Sequence, residues 1–461
     1  MSFSPVNAGA RLDRLPMSPF HWRLLRLVAL GMFFDSFDNA MMASVLGTLV
    51  ANGTSSFALN AKYISVSFFG LTAGAAMAGL MGDKWGRRFA YQFNLLLFGS
   101  MCLVSAFAPS MTWLIVIRAV MGVGLGAEYV AGYSMVTESI PPERRGRCIT
   151  MVNVVASSGG FAVNQVGLLV IPWLGWRAMF VIGGLGALWV WWLRRYLPES
   201  PRWLEAMGRT GQAEQVVTAI EQEVAAGGPL PPVIAAPPAA VGRVKLRVLF
   251  KPPVLHRTLL AIAVNVVVLV CSYSFTSWIP TFFIREGFSV TRSLTFNAVM
   301  SGGAVFGPLL GLFLADRIGR KTAIEGVAVG AAIVGAIYPF MGTPLTIMIV
   351  GFLLVGAMNL MITVGLACYT PELFPTAYRF RGSGVGQMMG RGGFIASPYL
   401  VVMLYDTYGI AGVVLVLSGM YLTLAAIIAV FGIETNQRSL DAMAPHDGRT
   451  LIAPVAQEEI V

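Results

Sequence analysis

Long apolar segments separated by short polar ones run from residue 24 to residue 432. Each segment is close to twenty residues or longer, which is enough helix to cross a hydrocarbon layer of about 30 Å. Segments of this length with few charges predict membrane-spanning helices. We predict twelve spans, at roughly 24–50, 61–81, 90–108, 112–137, 148–170, 179–197, 256–280, 294–314, 323–341, 345–368, 382–404 and 410–432.

The composition agrees with an all-α membrane protein. Of 461 residues, 56% are hydrophobic and only 12% are charged, whereas soluble domains carry about 25% charged residues. We predict an N-terminal six-helix bundle at 1–197, a cytoplasmic linker with short helices at 198–255, a C-terminal six-helix bundle at 256–432 and a cytoplasmic tail at 433–461. Within the linker, Ser200 and Pro201 form a helix start, and residues 212–225 form a short amphipathic helix.

The net charge of +10 follows the predicted topology. One side of the membrane collects 26 lysines and arginines, and the other side only four. An excess of basic residues marks the cytoplasmic side, so both termini are expected there. The basicity is therefore explained without a nucleic-acid partner.

Two landmarks recur along the chain with nearly the same offset. Asp83 and Asp316, which follow the second and eighth spans, are 233 residues apart; Glu138 and Glu372, which follow the fourth and tenth, are 234 apart. This indicates a duplicated six-helix unit. We expect the charged residues around these landmarks to latch each half and to act in gating. They are Asp83, Arg87, Arg88, Glu138, Asp316, Arg320, Glu372 and Arg379.

The same segments resemble a known family. The loop G-x-x-x-D-K-x-G-R-R at 79–88 is similar to the signature loop of the major facilitator superfamily. Arg118-x-x-x-Gly-x-Gly-x-Gly-x-Glu128, Pro198–Leu204 and Pro371–Thr376 are similar to motifs of its sugar-porter and organic-ion branches. The resemblance covers all twelve spans and implies two six-helix repeats that work by alternating access. The glycines of 122–126 lack the preceding strand of a nucleotide fingerprint, so we assign them to helix packing.

Three features indicate which branch of the superfamily the sequence resembles. The segments 11–16 and 33–38 resemble bacterial niacin transporters and their metabolite:proton symporter relatives. Asp35-x-x-Asp38 is also close to the D-G-[YF]-D of aromatic acid:proton symporters, with Ser36 in place of the glycine. The eleventh span, at 389–398, resembles that of organic-anion carriers, in which the arginine faces the substrate.

Five ionisable residues lie well inside predicted spans, away from the span ends. They are Asp35, Asp38, Arg118, Glu128 and Arg391. An arginine at the centre of a bilayer costs at least about 2.5–3.5 kcal/mol, so Arg391 needs a carboxylate, a water-filled cavity or an anionic ligand. The resemblance to sugar–proton symporters implies that Asp38 and Arg118 form a proton switch, supported by Asp35 and Glu128. A purely structural pairing of these charges stays open.

Polar and aromatic residues in other spans could complete a site for a flat carboxylate, although core packing is an alternative for each aromatic ring. The expected substrate-binding set is Arg391, Gln387, Tyr129, Tyr133, Tyr273, Phe275, Trp278 and Asn39.

These observations predict a secondary active transporter of the bacterial inner membrane. The favoured function is proton-coupled uptake of a small aromatic or heteroaromatic carboxylate such as nicotinate. A benzoate-type or other organic anion, an organic cation, and a non-transporting sensor on the same scaffold remain alternatives. No enzyme or nucleotide-binding signature is present in the sequence, so we expect no catalysis and no cofactor or metal. Besides substrate, proton and lipid bilayer we expect no partner, and a monomer.

Overall fold

The computed structural model describes residues 6–226, 228–233, 246–252, 254–374 and 379–435. Within these ranges the chain is helical and contains no β-strand. The N-terminal half begins with a short helix and continues with six long ones. They are α1 (Ala8–Asp13), α2 (Pro19–Ala51), α3 (Phe57–Trp85), α4 (Arg87–Ala106), α5 (Met111–Ser139), α6 (Pro142–Leu174) and α7 (Trp176–Arg194).

The linker forms a small helical unit that docks onto α1. Its helices are α8 (Pro201–Ala206) and α9 (Thr210–Ala225), followed by a 3₁₀ turn at Leu246–Phe250. The Ser200 hydroxyl accepts a hydrogen bond from the backbone N–H of Trp203, as expected of a helix N-cap. Arg11 of α1 binds Glu214 at 2.7 Å and Glu221 at 2.6 Å, both on α9. The linker therefore holds the N-terminal helix as well as joining the halves.

The C-terminal half contains more interrupted helices than the N-terminal half. A 3₁₀ turn follows α14, and a π-helical stretch at Ile362–Tyr369 separates α15 from α16. The helices are α10 (Val254–Thr276), α11 (Ile279–Arg285), α12 (Val290–Met300), α13 (Gly303–Ile318), α14 (Arg320–Ile337), α15 (Pro344–Met361), α16 (Thr370–Glu372) and α17 (Arg379–Phe431).

The helices supply the twelve predicted crossings. In the described residues, nine helical segments are long and apolar enough to span a membrane. One of them, α17, holds the eleventh and twelfth spans, which meet at Gly409, where the backbone leaves helical geometry with φ 66°. Only glycine adopts this left-handed region readily. With α2 and α3, which carry the first two spans, the total is twelve.

Helix packing confirms the duplication. In the N-terminal half α2 packs on α6, α3 on α5, and α4 on α7. The counterpart pairs in the C-terminal half are α10 with the first part of α17, α13 with α15, and α14 with the second part of α17. Glycines allow the closest approach: a Cβ atom on Gly126 would lie 1.8 Å from the Leu71 carbonyl oxygen. The glycines of 122–126 therefore serve packing, as predicted.

Candidate functional site

The two described chain ends lie on one side of the helix bundle, which we call the terminus side. Asp13, before the first crossing, accepts a hydrogen bond from Arg202, after the sixth, at 2.7 Å. Glu434, after the twelfth crossing, accepts one from the backbone of Arg320, at the start of α14, at 2.9 Å. Because six crossings return the chain to the side it left, both contacts belong to the same side. We call the opposite side the far side.

The two halves meet in the middle and on the far side of the molecule. Asn297 on α12 donates to the side-chain oxygen of Asn164 on α6 at 2.7 Å. Ser65 on α3 donates to the carbonyl of Ile395 on α17 at 2.8 Å. Near the far-side end of α3, Phe57 stacks against rings of the C-terminal half. In the described part of the chain, no hydrogen bond joins the two helix bundles near the terminus side.

Arg391 lies on the face of α17 that points to the N-terminal half. It is one helical turn from Ile395, the residue in contact with Ser65, and helical residues four apart share a face. Its side chain is half-buried, and it makes no ion pair or hydrogen bond with any residue that the structure describes. Gln387, one turn closer to the terminus side, is exposed on the same face. Arg391 and Gln387 therefore share the surface of α17 that faces the N-terminal half.

An aromatic cluster covers this region. Tyr273 on α10 packs against Phe68 on α3, with ring centroids 5.0 Å apart, and Phe394 on α17 contacts the Phe68 ring at 4.2 Å. Tyr273 lies within electrostatic range of both Arg391 and Asp35. The predicted cation of the C-terminal half and one predicted acid of the N-terminal half thus both lie near Tyr273.

The remaining predicted residues of the N-terminal half lie around Asp35. Tyr133 on α5 donates its hydroxyl proton to the Asn153 side chain on α6 and is within electrostatic range of Asp35. Asn39 donates to the Asp35 backbone carbonyl at 3.3 Å. The predicted substrate contact Tyr129 lies outside the described side chains.

Two predicted substrate residues lie away from Arg391 and Tyr273. Phe275 is fully buried and packs edge-on against Tyr338 inside the C-terminal half, with centroids 5.4 Å apart. Trp278 is also fully buried, and its ring is 5.2 Å from Phe57 in the far-side contact between the halves. The packing alternative fits Phe275, and Trp278 belongs to the closure of the halves.

Asp38 and Arg118 form a buried ion pair between α2 and α5. Neither side chain has appreciable solvent exposure. The Arg118 guanidinium also donates to the Ser67 hydroxyl at 2.9 Å and lies 5.5 Å from the centre of the Tyr63 ring. The second Asp38 carboxylate oxygen has no hydrogen-bond partner among the described residues.

Glu128 pairs with an arginine at the end of the sixth predicted span, which was not among the predicted site residues. Arg194, at the end of α7, binds Glu128 at 2.6 Å, and both side chains are buried. The same guanidinium donates to the Leu27 carbonyl at 3.0 Å and lies 3.8 Å from the Tyr91 ring centre. It leaves no room for a side chain at Gly31, where a Cβ atom would be 1.5 Å from the guanidinium nitrogen. A buried glutamate requires a counter-ion, and this was the available signal for Arg194.

Glu138 is the centre of a latch in the N-terminal half. Arg87 at the start of α4 donates to it at 3.2 Å, and the Ser200 hydroxyl donates to it from beyond α7. Glu199 accepts from the backbone N–H of Arg88 at 3.0 Å, at the first turn of α4. The latch therefore joins the ends of α4, α5 and α7.

The C-terminal half repeats this latch with counterpart residues. Arg320 donates to Glu372 at 3.3 Å, and the Thr435 hydroxyl donates to the same carboxylate at 2.6 Å. Glu434 accepts from the backbone of Arg320 and Lys321, as Glu199 does from Arg88. The first residues of the predicted tail thus belong to the fold. The predicted gating side chains of Asp83, Asp316 and Arg379 lie outside the described part.

Sequence and structure comparisons agree with this architecture. Residues 28–398 match the sequence profile of the Major Facilitator Superfamily. The chain belongs to this superfamily. It is 35% identical over 442 residues to the inner membrane metabolite transport protein YdjE of Escherichia coli, an alignment that covers 95% of this chain and 98% of that protein.

One further sequence relative and one solved structure are similar to this chain over nearly its whole length. The niacin transporter NiaP of Acinetobacter baylyi is 31% identical over 440 residues, which cover 94% of this chain and 99% of that protein. The crystal structure of a D-xylose–proton symporter superposes with a TM-score of 0.71 at 18% identity, over 91% of this chain and 99% of that one. The protein is therefore a membrane transporter of the major facilitator fold rather than an enzyme.

No metal centre is evident in the described residues. Within them, no three His, Cys, Asp or Glu side chains lie close enough together to hold an ion. The chemistry that the described site offers is charge pairing, hydrogen bonding and ring stacking.

Proposed function

We propose that the protein takes up a small aromatic or heteroaromatic monocarboxylate, with nicotinate as the first candidate, in symport with protons. The proposal includes a bacterial inner-membrane location with both termini in the cytoplasm. The excess of lysine and arginine on the terminus side supports that orientation.

The observation that carries the proposal is that Arg391 lacks a charge partner in the described part of the chain. Its guanidinium faces the other half of the protein. A planar guanidinium matches a carboxylate with two parallel hydrogen bonds, which a lysine cannot reproduce. An anionic ligand between the halves would supply the missing partner.

The surroundings of Arg391 support an aromatic acid over an aliphatic one. Tyr273 borders the same region, next to Phe68 and Phe394. Aromatic rings stack favourably in offset or edge-on geometry, so a flat ring gains more from these walls than a short alkyl chain does. The relative named as a niacin transporter supports nicotinate among such acids.

The buried pair Asp38–Arg118 supports proton coupling. If alternation pulls α2 and α5 apart, Asp38 loses its counter-charge in a medium of low dielectric constant, where the protonated form is favoured. Re-forming the pair would expel the proton. Glu128 is a weaker candidate, because the backbone of α2 and the Tyr91 ring also hold its partner Arg194.

Binding to purified protein tests the substrate assignment. Calorimetric titration with nicotinate is expected to give heat in the wild type, none in Arg391→Ala and little in Arg391→Lys. Arg381→Ala is the matched control, since this arginine is also a half-buried residue of α17 but lies near its start. Normal affinity in Arg391→Ala would contradict the proposal.

Binding and uptake assays also distinguish the alternative functions. A benzoate-type carrier would bind benzoate more tightly than nicotinate, and a cation carrier would bind amines through Asp35, Asp38 or Glu128. Uptake of labelled nicotinate into proteoliposomes tests transport of this substrate directly.

A further inference from the structure

A cavity of about 260 Å³ opens on the outer surface of the N-terminal half, between α4 and α7. It lies on the terminus side, at the first turns of α4 and the last turn of α7, away from Arg391 and the Asp38–Arg118 pair. Two arginines, two tryptophans and a glutamine line it: Arg88, Gln92, Trp191, Trp192 and Arg195.

The cavity is positively charged. Arg88 donates to the backbone carbonyl of Arg195 at 2.7 Å, which holds the Arg88 side chain against the end of α7, and the Arg195 guanidinium donates to the Tyr196 hydroxyl. Neither guanidinium forms an ion pair with a carboxylate in the described residues. The neighbouring Glu199 instead accepts hydrogen bonds from the backbone N–H groups of Arg88 and Ser200. Two exposed cations without counter-ions favour an anionic occupant.

The walls next to these cations are aromatic. The Arg195 guanidinium stacks on the Trp192 ring at 4.2 Å, and Trp192 is 46% exposed. Further along α4, Phe89 and Phe93 stack on each other at 6.0 Å with their outer faces exposed. Tryptophan is enriched at the boundary between headgroups and acyl chains, and phenylalanine beyond it suits the chains themselves.

We infer that this cavity binds the headgroup of an anionic phospholipid. The phosphodiester would accept hydrogen bonds from Arg88 and Arg195, the glycerol portion would lie against Trp192, and an acyl chain would follow Phe89 and Phe93. A free phosphate would use the arginines alone and leave the exposed rings of Trp192, Phe89 and Phe93 unused. This lipid site is separate from the transport pathway.

Native mass spectrometry of the detergent-purified protein tests the site. Phosphatidylglycerol is expected to bind roughly tenfold more tightly than phosphatidylcholine with the same chains, equivalent to one good charge-assisted contact. Arg195→Gln should abolish most of this preference, and Trp192→Leu should reduce it, because the Trp192 ring holds the Arg195 guanidinium in place. Arg209→Gln is the matched control, because Arg209 also stacks on a tryptophan but lies outside the cavity.

Three results would overturn the inference. One is equal binding of the two lipids by the wild type. Another is an unchanged preference in both cavity variants, with thermal unfolding showing that they are folded. The third is displacement of the lipid by an equal concentration of glycerol 3-phosphate, which would identify a site for soluble phosphate esters.

Discussion

The interiors of the two halves use charge differently. Buried in the N-terminal half are the ion pairs Asp38–Arg118 and Glu128–Arg194, on helices α2, α5 and α7. In the described residues of the C-terminal half, buried polar contacts are neutral, such as Asn265 with Thr370 at 3.1 Å. Its half-buried Arg391 has no partner there.

The two halves share one duplicated scaffold, yet they differ in whether their charges are paired. Buried charges are tolerated only in pairs, because removing one partner leaves the other desolvated and uncompensated. In these two pairs the N-terminal half supplies both the acid and its counter-ion, so a relative movement of α2, α5 or α7 would act on them. Among the described residues, the C-terminal half keeps a half-buried cation, Arg391, that has no ion-pair partner.

The largest expected effect tests whether the pairs carry stability. Arg194→Ala should lower the free energy of unfolding by about 3–5 kcal/mol, because Glu128 is left buried without a counter-charge. Arg391→Ala, on the half-exposed cation, should change it by less than about 0.5 kcal/mol. Unfolding in mixed micelles measures both.

A double variant sharpens this test. Replacing Glu128 by leucine and Arg194 by methionine removes both charges, and most of the lost stability should return. Equal destabilisation by Arg194→Ala and Arg391→Ala would remove the distinction between the halves.

Selectivity should depend on the C-terminal cation. Nicotinamide has the ring of nicotinate but no charge, so it leaves Arg391 without a partner. A fully buried unpaired charge costs about 3–5 kcal/mol, and an open cavity reduces that figure. We expect nicotinate to compete about tenfold to a thousandfold better than nicotinamide in uptake assays. Equal potency would mean that Arg391 does not sense charge, and stronger inhibition by amines would favour a cation carrier.

Coupling should depend on the N-terminal pair. Asp38→Asn resembles the protonated acid, so it should still exchange substrate across a proteoliposome membrane. It should no longer accumulate substrate, whereas one coupled proton gives the wild type roughly tenfold accumulation per pH unit. If Asp38→Asn still concentrates substrate under a pH gradient, the proton is carried by Asp35 or Glu128.

The smallest expected effect is that of pH on the docking of α1 onto α9, through partly exposed charges outside the membrane. Burial alone would raise the pKa of Glu221, but hydrogen bonds from Arg11 and Arg14 outweigh it and hold that pKa below its ordinary value. The bond from Arg11 likewise lowers the pKa of Glu214. A lowered folded pKa means that docking of α1 is fully stabilised above about pH 4.3 and weakens as acid protonates the glutamates.

Hydrogen exchange of α1, corrected for intrinsic rates, should therefore be constant from neutral pH down to about pH 5 and rise below about pH 4. Because these pairs are partly exposed, the change should stay under about 1 kcal/mol. Arg11→Gln should reduce the pH response. An equal response in that variant would assign it to other groups.

Most of the architecture could be predicted from the sequence. A long apolar segment in a bilayer must satisfy its backbone hydrogen bonds internally, and it does so as a helix. The twelve crossings could therefore be predicted from length and hydropathy alone. The offset between Glu138 and Glu372 predicted the duplication, and the helix packing reproduces it. The pairing of Asp38 with Arg118 was expected from resemblance to sugar–proton symporters, and the two side chains do meet.

Other features depend on three-dimensional neighbours that no local pattern encodes. Arg194 lies next to Arg195 at the end of a span, and both looked like basic loop residues. In the structure α7 ends at Arg194, whose side chain is fully buried, whereas the side chain of Arg195 is exposed. Phe275, in the last turn of α10, and Trp278, just after that helix, occur in a polar-aromatic stretch, yet both side chains make packing contacts. The substrate-binding and proton-coupling roles themselves stay predictions.

The repeated latch has a practical consequence for handling the protein. Glu434 and Thr435 follow the last membrane helix and would be discarded by any truncation guided by hydropathy, yet they bind the start of α14 and Glu372. A shortened chain ending at Phe431 would lack two of the polar links that tie the last crossing to its neighbours. Affinity tags and fluorescent fusions should therefore begin after Thr435, where an added sequence leaves those links intact.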